Sequence, residues 1–335
     1  MNDFKKLSLA LIIFLLIIFN TIEAKENSAA VFVYHRFGEN NYPSTNVKLS
    51  QFKKHLNELT KNDYNVIPVE KIVDSFINNT DLPEKTVGIT IDDAFLSIYK
   101  EAWPLLKEKK LPFTIFVSTK PVGSKSSNYM NWSQIKEMVN SGVSIGHHSK
   151  SHHHLVSKNQ ETLVEEIEDA SKDFLENIGF VPEIFAYPYG EYSYEIKQTV
   201  KKYFKAAFGQ HSGSFFNGID IYEMPRFSLN EKYGDIKRFK FAANSYGLKI
   251  NNILPKDRAI KDLNPPLLGF TLIDSLESKI QCYPSHNIKA ELKKIGKNRI
   301  EIRFDKEFPK GRTRINCTTN DNGKWRWTGF QFTNP

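Results

Sequence analysis

Short runs of β-branched, aromatic and aliphatic residues alternate with stretches of helical periodicity through the first two thirds of the chain. The runs predict strands at residues 30–34, 64–68, 86–91, 113–117, 143–145, 184–187 and 206–208. Between them, Phe52, Leu56 and Leu59 share one face of a helix that Ser50 is placed to cap. A second helical pattern covers 95–110, with a kink expected at Pro104. Two more, over 133–140 and 162–178, end at Gly142 and Gly179, where glycine can adopt the left-handed helix stop. Strand and helix alternating in this way predict an α/β domain over residues 28–250, its parallel sheet closed into a (β/α) barrel. An open doubly wound sheet is the competing architecture, but no glycine-rich phosphate loop follows an early strand.

The periodicity changes near Pro255, and Pro265 and Pro266 mark a linker. Beyond it, alternating runs at 269–273, 279–283, 288–292, 299–304, 313–318 and 324–332 predict a small antiparallel β-sandwich spanning 265–335. The chain's 2 cysteines, Cys282 and Cys317, both fall there. In an oxidising compartment they are expected to pair, and closing a loop of about 35 residues would contribute roughly 3–4 kcal/mol. The alternative is two separate buried thiols. Trp325, Trp327 and Phe330 could stack on sugar rings, or pack as core against the barrel.

The N-terminus bears on the compartment. Lys5 and Lys6 precede an apolar run over 7–19, and a polar stretch ends at Ala24. This is the pattern of a cleaved secretory signal peptide over 1–24, with an uncleaved anchor as the rival. The apolar run is shorter than the ~20 residues of a spanning helix, so no stable membrane span is expected after cleavage. The expected location is periplasmic or extracellular. The formal net charge of +8 is spread along the chain rather than gathered in a basic patch. It points to attraction toward anionic envelope polymers and away from nucleic acid. Oligomeric state has no signature in the sequence.

Titratable residues follow the predicted strands. His35 comes after the first strand, Asp92 and Asp93 after the third, and Gly146-His147-His148 with His152 after the fifth. Pro188, Tyr189 and Gly190 follow the sixth. In a parallel barrel these strand ends form one face, where barrel enzymes build their sites. Two adjacent carboxylates that both stay ionised call for a cation, although acidic pairs at strand ends also serve as solvated caps. His148 and His152 are spaced i, i+4, which on a helical turn presents both imidazoles to one ion. With five histidines between 147 and 154, excepting 149–151, chance spacing is the alternative. Asp93, His148 and His152 would make a two-histidine, one-carboxylate set, used by hydrolases and by nonhaem iron oxygenases alike.

Thr90-Ile91-Asp92-Asp93, His148-Ser149-Lys150-Ser151-His152 and Tyr187-Pro188-Tyr189-Gly190, in that order, resemble the first three motifs of the polysaccharide deacetylases, the NodB-homology domain of carbohydrate esterase family four. The resemblance covers roughly residues 30–247 and implies a distorted (β/α) barrel that hydrolyses N- or O-acetyl groups on sugars. It implies that Asp93, His148 and His152 hold one divalent metal, zinc first, with iron, nickel or cobalt as alternatives. Asp92 would be the general base. Tyr187, Pro188, Tyr189 and Gly190 would bind substrate, the Tyr189 N–H helping to stabilise the oxyanion.

The chain departs from the family pattern in two places. Phe185-Ala186-Tyr187 stands where the third motif carries an arginine, and no clear Leu-x-His fifth motif is present. Tyr34-His35-Arg36-Phe37 and Met224-Pro225-Arg226-Phe227 are similar to the branch acting on poly-N-acetylglucosamine. On that resemblance Arg226 would orient Asp92 in place of the missing arginine. His35 would be the acid or a substrate contact, with His211 as second candidate. The expected activity is removal of N-acetyl groups from an amino-sugar polymer, an N-acetylated glycan being the partner. A noncatalytic envelope glycan-binding protein and a peptidoglycan or xylan deacetylase are the alternatives.

Overall fold

The computed structural model describes residues 26–124, 126–276 and 278–335. The expected leader at 1–24 lies outside the described residues. Among them, no helix is long and apolar enough to cross a membrane.

Parallel strands Ser28–Tyr34, Thr86–Asp92, Thr114–Val117, Ser144–His147, Ile184–Ala186 and Ala206–Phe208 lie side by side in chain order. The order never reverses, so the sheet has no switch point of the doubly wound kind. Alternate residues of the first strand enter different apolar clusters: Ala30, Phe32 and Tyr34 face one, Ala29 and Val31 the other. Burial on both faces is why these strands read as unbroken apolar runs. The sheet curls. Phe227 and Ser228 pair in parallel with Phe32 and Val33 of the first strand, while Met224 bridges Phe208 of the last. The segment 224–228 thus spans the two ends of the distorted barrel.

Several elements differ from their expected form. The strand at 64–68 is only Asn65–Val66, and a helix, Val69–Asn78, follows at once. Ser50 lies inside the helix Leu49–Lys61, whose N-cap is Lys48; the Gln51 side chain accepts from the Lys48 N–H. The helix expected over 95–110 begins as a π turn, Ile98–Ala102, before the α-helix Trp103–Glu108. A proline ring collides with the carbonyl four residues earlier in a regular α-helix, and the wider turn ahead of Pro104 makes room for it.

The C-terminal layers are two four-stranded sheets. One orders Tyr246–Gly247, Lys324–Asn334, Gly311–Asp321 and Gln281–Pro284; the other orders Ile250–Leu254, Leu268–Leu272, Arg299–Phe304 and Ala290–Ile295. The layers therefore begin at Tyr246, ahead of the expected 265, and the Tyr246–Gly247 pairing is parallel. Cys282 and Cys317 stand opposite each other on adjacent antiparallel strands and are bonded. Trp327 packs against the barrel, 5.0 Å from the Phe227 ring and 5.7 Å from Phe241. Trp325 lies 5.2 Å from Phe241 and stays partly exposed.

Candidate metal centre and active site

Asp92 is the last residue of the Thr86–Asp92 strand and shares a face with Thr90, as strand alternation requires. Both are fully buried. Arg226, from the segment that bridges the sheet ends, donates Nη1 to Asp92 Oδ1 at 2.7 Å and Nη2 to Oδ2 at 2.9 Å. Its Nη1 also reaches Thr90 Oγ1 at 3.2 Å, and its Nε donates to the Gly209 carbonyl at 3.0 Å. The guanidinium lies 5.2 Å above the Phe116 ring. Gly146 makes this layer fit, because a Cβ there would come within 2.3 Å of Phe116. Burial alone would raise the Asp92 carboxyl, but Arg226, His148 and His35 outweigh it and hold its pKa below the ordinary value.

The chain turns sharply after Asp92. Asp93 has φ 77° and Ala94 φ 58°, conformations that L-residues rarely adopt. The turn sends the Asp93 carboxylate away from Asp92 and toward His148 and His152, whose Nε2 atoms lie 3.4 and 3.1 Å from its Oδ1. The two histidines are not on a helical turn, contrary to the expectation from their spacing. They sit on an irregular loop in which Ser149 (φ 62°) and His152 (φ 55°) are left-handed. Neighbours fix that loop. His147 accepts from the Ser149 N–H, and Glu166 accepts from the Ser151 N–H at 2.7 Å. With Tyr189 (φ 60°), the strained backbone positions gather around one point, as is common at working sites.

Residues 93, 148 and 152 fit a divalent cation. His148 places Nδ1 2.7 Å from the Ala186 carbonyl, an acceptor, so this nitrogen carries the proton and Nε2 keeps its lone pair. That Nε2 and Asp93 Oδ1 are buried and have no hydrogen-bond partner among the described residues. One ligand atom from each of the three residues lies within 4.8 Å of the others. An imidazole lone pair and a carboxylate oxygen, both orphaned and with the His152 ring beside them, are what a bound cation would satisfy.

The other expected site residues are placed as follows. His35 Nε2 lies 4.0 Å from Asp92 Oδ2. Burial, followed by the opposing pull of Asp93 and Asp92, leaves the His35 pKa lowered. His211 faces elsewhere: it lines a separate cavity with Glu223 and Arg258. Burial pushes its pKa down to about 4, and it does not line the cavity beside Asp93. Tyr187 and Pro188 are buried, and the Tyr187 hydroxyl donates to the Tyr222 carbonyl. Gly190 is also buried, and a Cβ there would meet Gln210 N at 2.5 Å. Of those four, Tyr189 lines the cavity beside Asp93, while Tyr187, Pro188 and Gly190 lie buried behind it.

That cavity, of about 340 Å³, is walled by Phe95, Tyr129, Pro121, Ser118, Ser151, His152 and Tyr189. Phe95 and Tyr129 stack at 4.9 Å, and the Arg36 guanidinium lies 3.4 Å from the Phe95 ring centre. No motif in the sequence marks these walls. Phe95 stands close after Asp92, but Tyr129 sits on a loop with no periodic signal.

Comparison with known proteins agrees with this geometry. Residues 79–206 match the family model of the polysaccharide deacetylases. YxkH of Bacillus subtilis (strain 168), provisionally named a polysaccharide deacetylase, is 28% identical over 172 residues, covering 51% of this chain. The chain spans 60% of that relative's length. The poly-β-1,6-N-acetyl-D-glucosamine N-deacetylase of Staphylococcus aureus (strain MRSA252) is 24% identical over 237 residues, covering 63% of this chain and 81% of that one. Among solved structures, IcaB from Ammonifex degensii aligns with a TM-score of 0.58 at 25% identity, over 65% of this chain and 98% of that one. The Streptococcus pyogenes deacetylase PplD, in complex with acetate, shares the fold with a TM-score of 0.58 at 20% identity, over 62% of this chain and 95% of that one.

Proposed function

We propose that this chain is a metal-dependent hydrolase, exported from the cytoplasm, that removes N-acetyl groups from an amino-sugar polymer of the poly-N-acetylglucosamine or chitooligosaccharide type. The observation that carries the reading is the meeting of Asp93, His148 and His152 beside an Asp92 gripped by Arg226. The S. aureus relative deacetylates poly-β-1,6-N-acetyl-D-glucosamine by name, which supports the choice of polymer. The cross-strand disulfide suits an oxidising compartment.

A divalent ion held by Asp93, His148 and His152 would polarise the acetyl carbonyl and make water a better nucleophile at neutral pH. Zinc suits two imidazoles and one carboxylate, as do iron, nickel and cobalt. The chain's own groups supply the proton traffic. Asp92 takes the proton of the attacking water, its carboxylate aimed by the two-pronged hold of Arg226. His35, 4.0 Å away, passes a proton to the departing amine nitrogen. The carbonyl carbon gains a bond to the water oxygen and loses its bond to nitrogen, giving acetate and a free amino sugar. The Tyr189 N–H, on its left-handed backbone, stabilises the oxyanion. The stacked Phe95 and Tyr129 rings offer an apolar wall for the sugar face.

Arg226 pairs with Asp92, the part expected of the arginine missing from the third motif, which supports a catalytic over a noncatalytic barrel. Trp327 is committed to packing on Phe227, so it is not free to stack on a glycan. Acetate release from N-acetylglucosamine oligomers, with xylan and peptidoglycan acetyl esters in the same panel, tests the reading. Release from the amino sugars supports it. Metal binding with no acetate from any acetylated glycan would overturn it.

A further inference from the structure

The C-terminal sheets reach into the barrel's site. Gln331 is on the Lys324–Asn334 strand, where Phe330 and Phe332 face the sandwich core and Gln331 alternates outward to the barrel. Its Nε2 donates to the Tyr189 carbonyl at 3.1 Å and to the Gly190 carbonyl at 2.8 Å. Gln331 is 1% exposed, and its own Oε1 has no partner among the described residues. A buried amide leaves its oxygen unmatched only when its donors are needed where they point, since the flipped amide would face oxygen to oxygen. Arg312, on the neighbouring Gly311–Asp321 strand, donates Nη1 to the same Tyr189 carbonyl at 3.2 Å. Its Nε lies 3.6 Å from Glu191, whose other oxygen pairs with His154 Nδ1 at 2.7 Å. The His154 ring in turn lies flat on Tyr189, centroids 3.8 Å apart and planes 2° apart.

Tyr189 needs such support. Its φ of 60° is unfavourable for a side chain of this size and persists only where neighbours over-determine it. Tyr189 lines the cavity beside Asp93, so relaxation to negative φ would reshape that wall. We propose that Gln331 and Arg312 are positioning residues for the deacetylase: the C-terminal sandwich clamps the Tyr189–Gly190 carbonyls and so sets the oxyanion donor. Both residues lie outside the 79–206 stretch shared with the family model. The role assigned to the Tyr189 N–H rests on the proposed function; the clamp itself does not.

The test compares Gln331→Met, Arg312→Met and Arg312→Lys with the full-length wild type, zinc-loaded, on N-acetylglucosamine oligomers. Gln331→Met and Arg312→Met should lower kcat for acetate release by roughly 10- to 100-fold with KM and bound zinc unchanged. Arg312→Lys, which keeps a donor, should recover most of the rate. Arg312 is partly exposed, so its variants serve if Gln331→Met fails to fold. Hydrogen exchange of the peptide covering 187–191, read on the same proteins, should rise in both methionine variants whether or not the wild type releases acetate. Unchanged exchange in both overturns the clamp. Raised exchange with wild-type kcat overturns the positioning role. Raised exchange in a protein whose wild type releases no acetate retains the clamp and condemns the deacetylase reading instead.

Discussion

Arg226 holds both carboxylate oxygens of Asp92 from a position 134 residues further along the chain, and neither side chain is exposed. A buried pair of this kind fixes orientation more than it adds stability, because desolvating two charges offsets much of their attraction. Breaking it from one side leaves an uncompensated charge. Arg226→Met is therefore expected to destabilise the fold by roughly 3–5 kcal/mol and to abolish acetate release. Urea denaturation of the variant, beside its activity, checks this; a variant of wild-type stability and rate would contradict it.

Asp92 and Asp93 are neighbours with separate duties. Asp92→Asn should lose roughly 10²- to 10⁴-fold in kcat while binding one zinc per chain, because the proposed function makes the residue a base and not a ligand. Asp93→Asn and His148→Gln should weaken zinc binding by more than the roughly 10- to 100-fold that follows loss of an outer hydrogen-bond partner. Calorimetric zinc titration of the three variants separates the two roles. Equal zinc loss in all three would merge them.

Gly146 lies against the face of Phe116, which supports the Arg226 guanidinium. A methyl group there must displace the ring. Gly146→Ala is expected to destabilise by roughly 1–3 kcal/mol, the usual range for overpacking, and to lower kcat through Arg226. Thermal melting together with kcat reads both effects, and a neutral substitution would show that the barrel interior gives way elsewhere.

Two histidines outside the site make the fold sensitive to acid. Burial pushes both His55 and His211 down to about 4, His55 against the Gly234 carbonyl and the Phe239 ring. The unfolded chain protonates them near 6.5, so it binds more protons than the native state between these values. Their contribution is complete above about pH 6.5 and falls by about 1.4 kcal/mol per pH unit per histidine as pH drops toward 4. Denaturation series at pH 7, 6 and 5 should show that His55→Gln has the shallower decline. Identical slopes would refute a neutral buried His55.

Much of the site was legible because its parts are short windows at strand ends. Asp92-Asp93 and His148 with His152 announce themselves within a few residues, and sheet order then brings the windows together. The local geometry was not legible. Nothing in Ser149-Lys150-Ser151 marks left-handed backbone at Ser149 and His152, so the spacing read as a helical turn. Tyr187 was expected at the substrate through the third-motif resemblance, and its ring packs in the core with Phe185, two residues earlier. Arg226 was readable only through family resemblance. Gln331 was not readable at all, since its contacts lie 141 and 142 residues away. Likewise Tyr246–Gly247 is too short a run to reveal that the C-terminal sheets begin there.

The most direct measurement is acetate release by chelator-stripped protein as zinc is returned in steps. The account predicts no release from the stripped protein, recovery that saturates at one ion per chain, and no recovery in Asp93→Asn at the same zinc concentration. Full activity in the stripped protein, or equal recovery in Asp93→Asn, would contradict it.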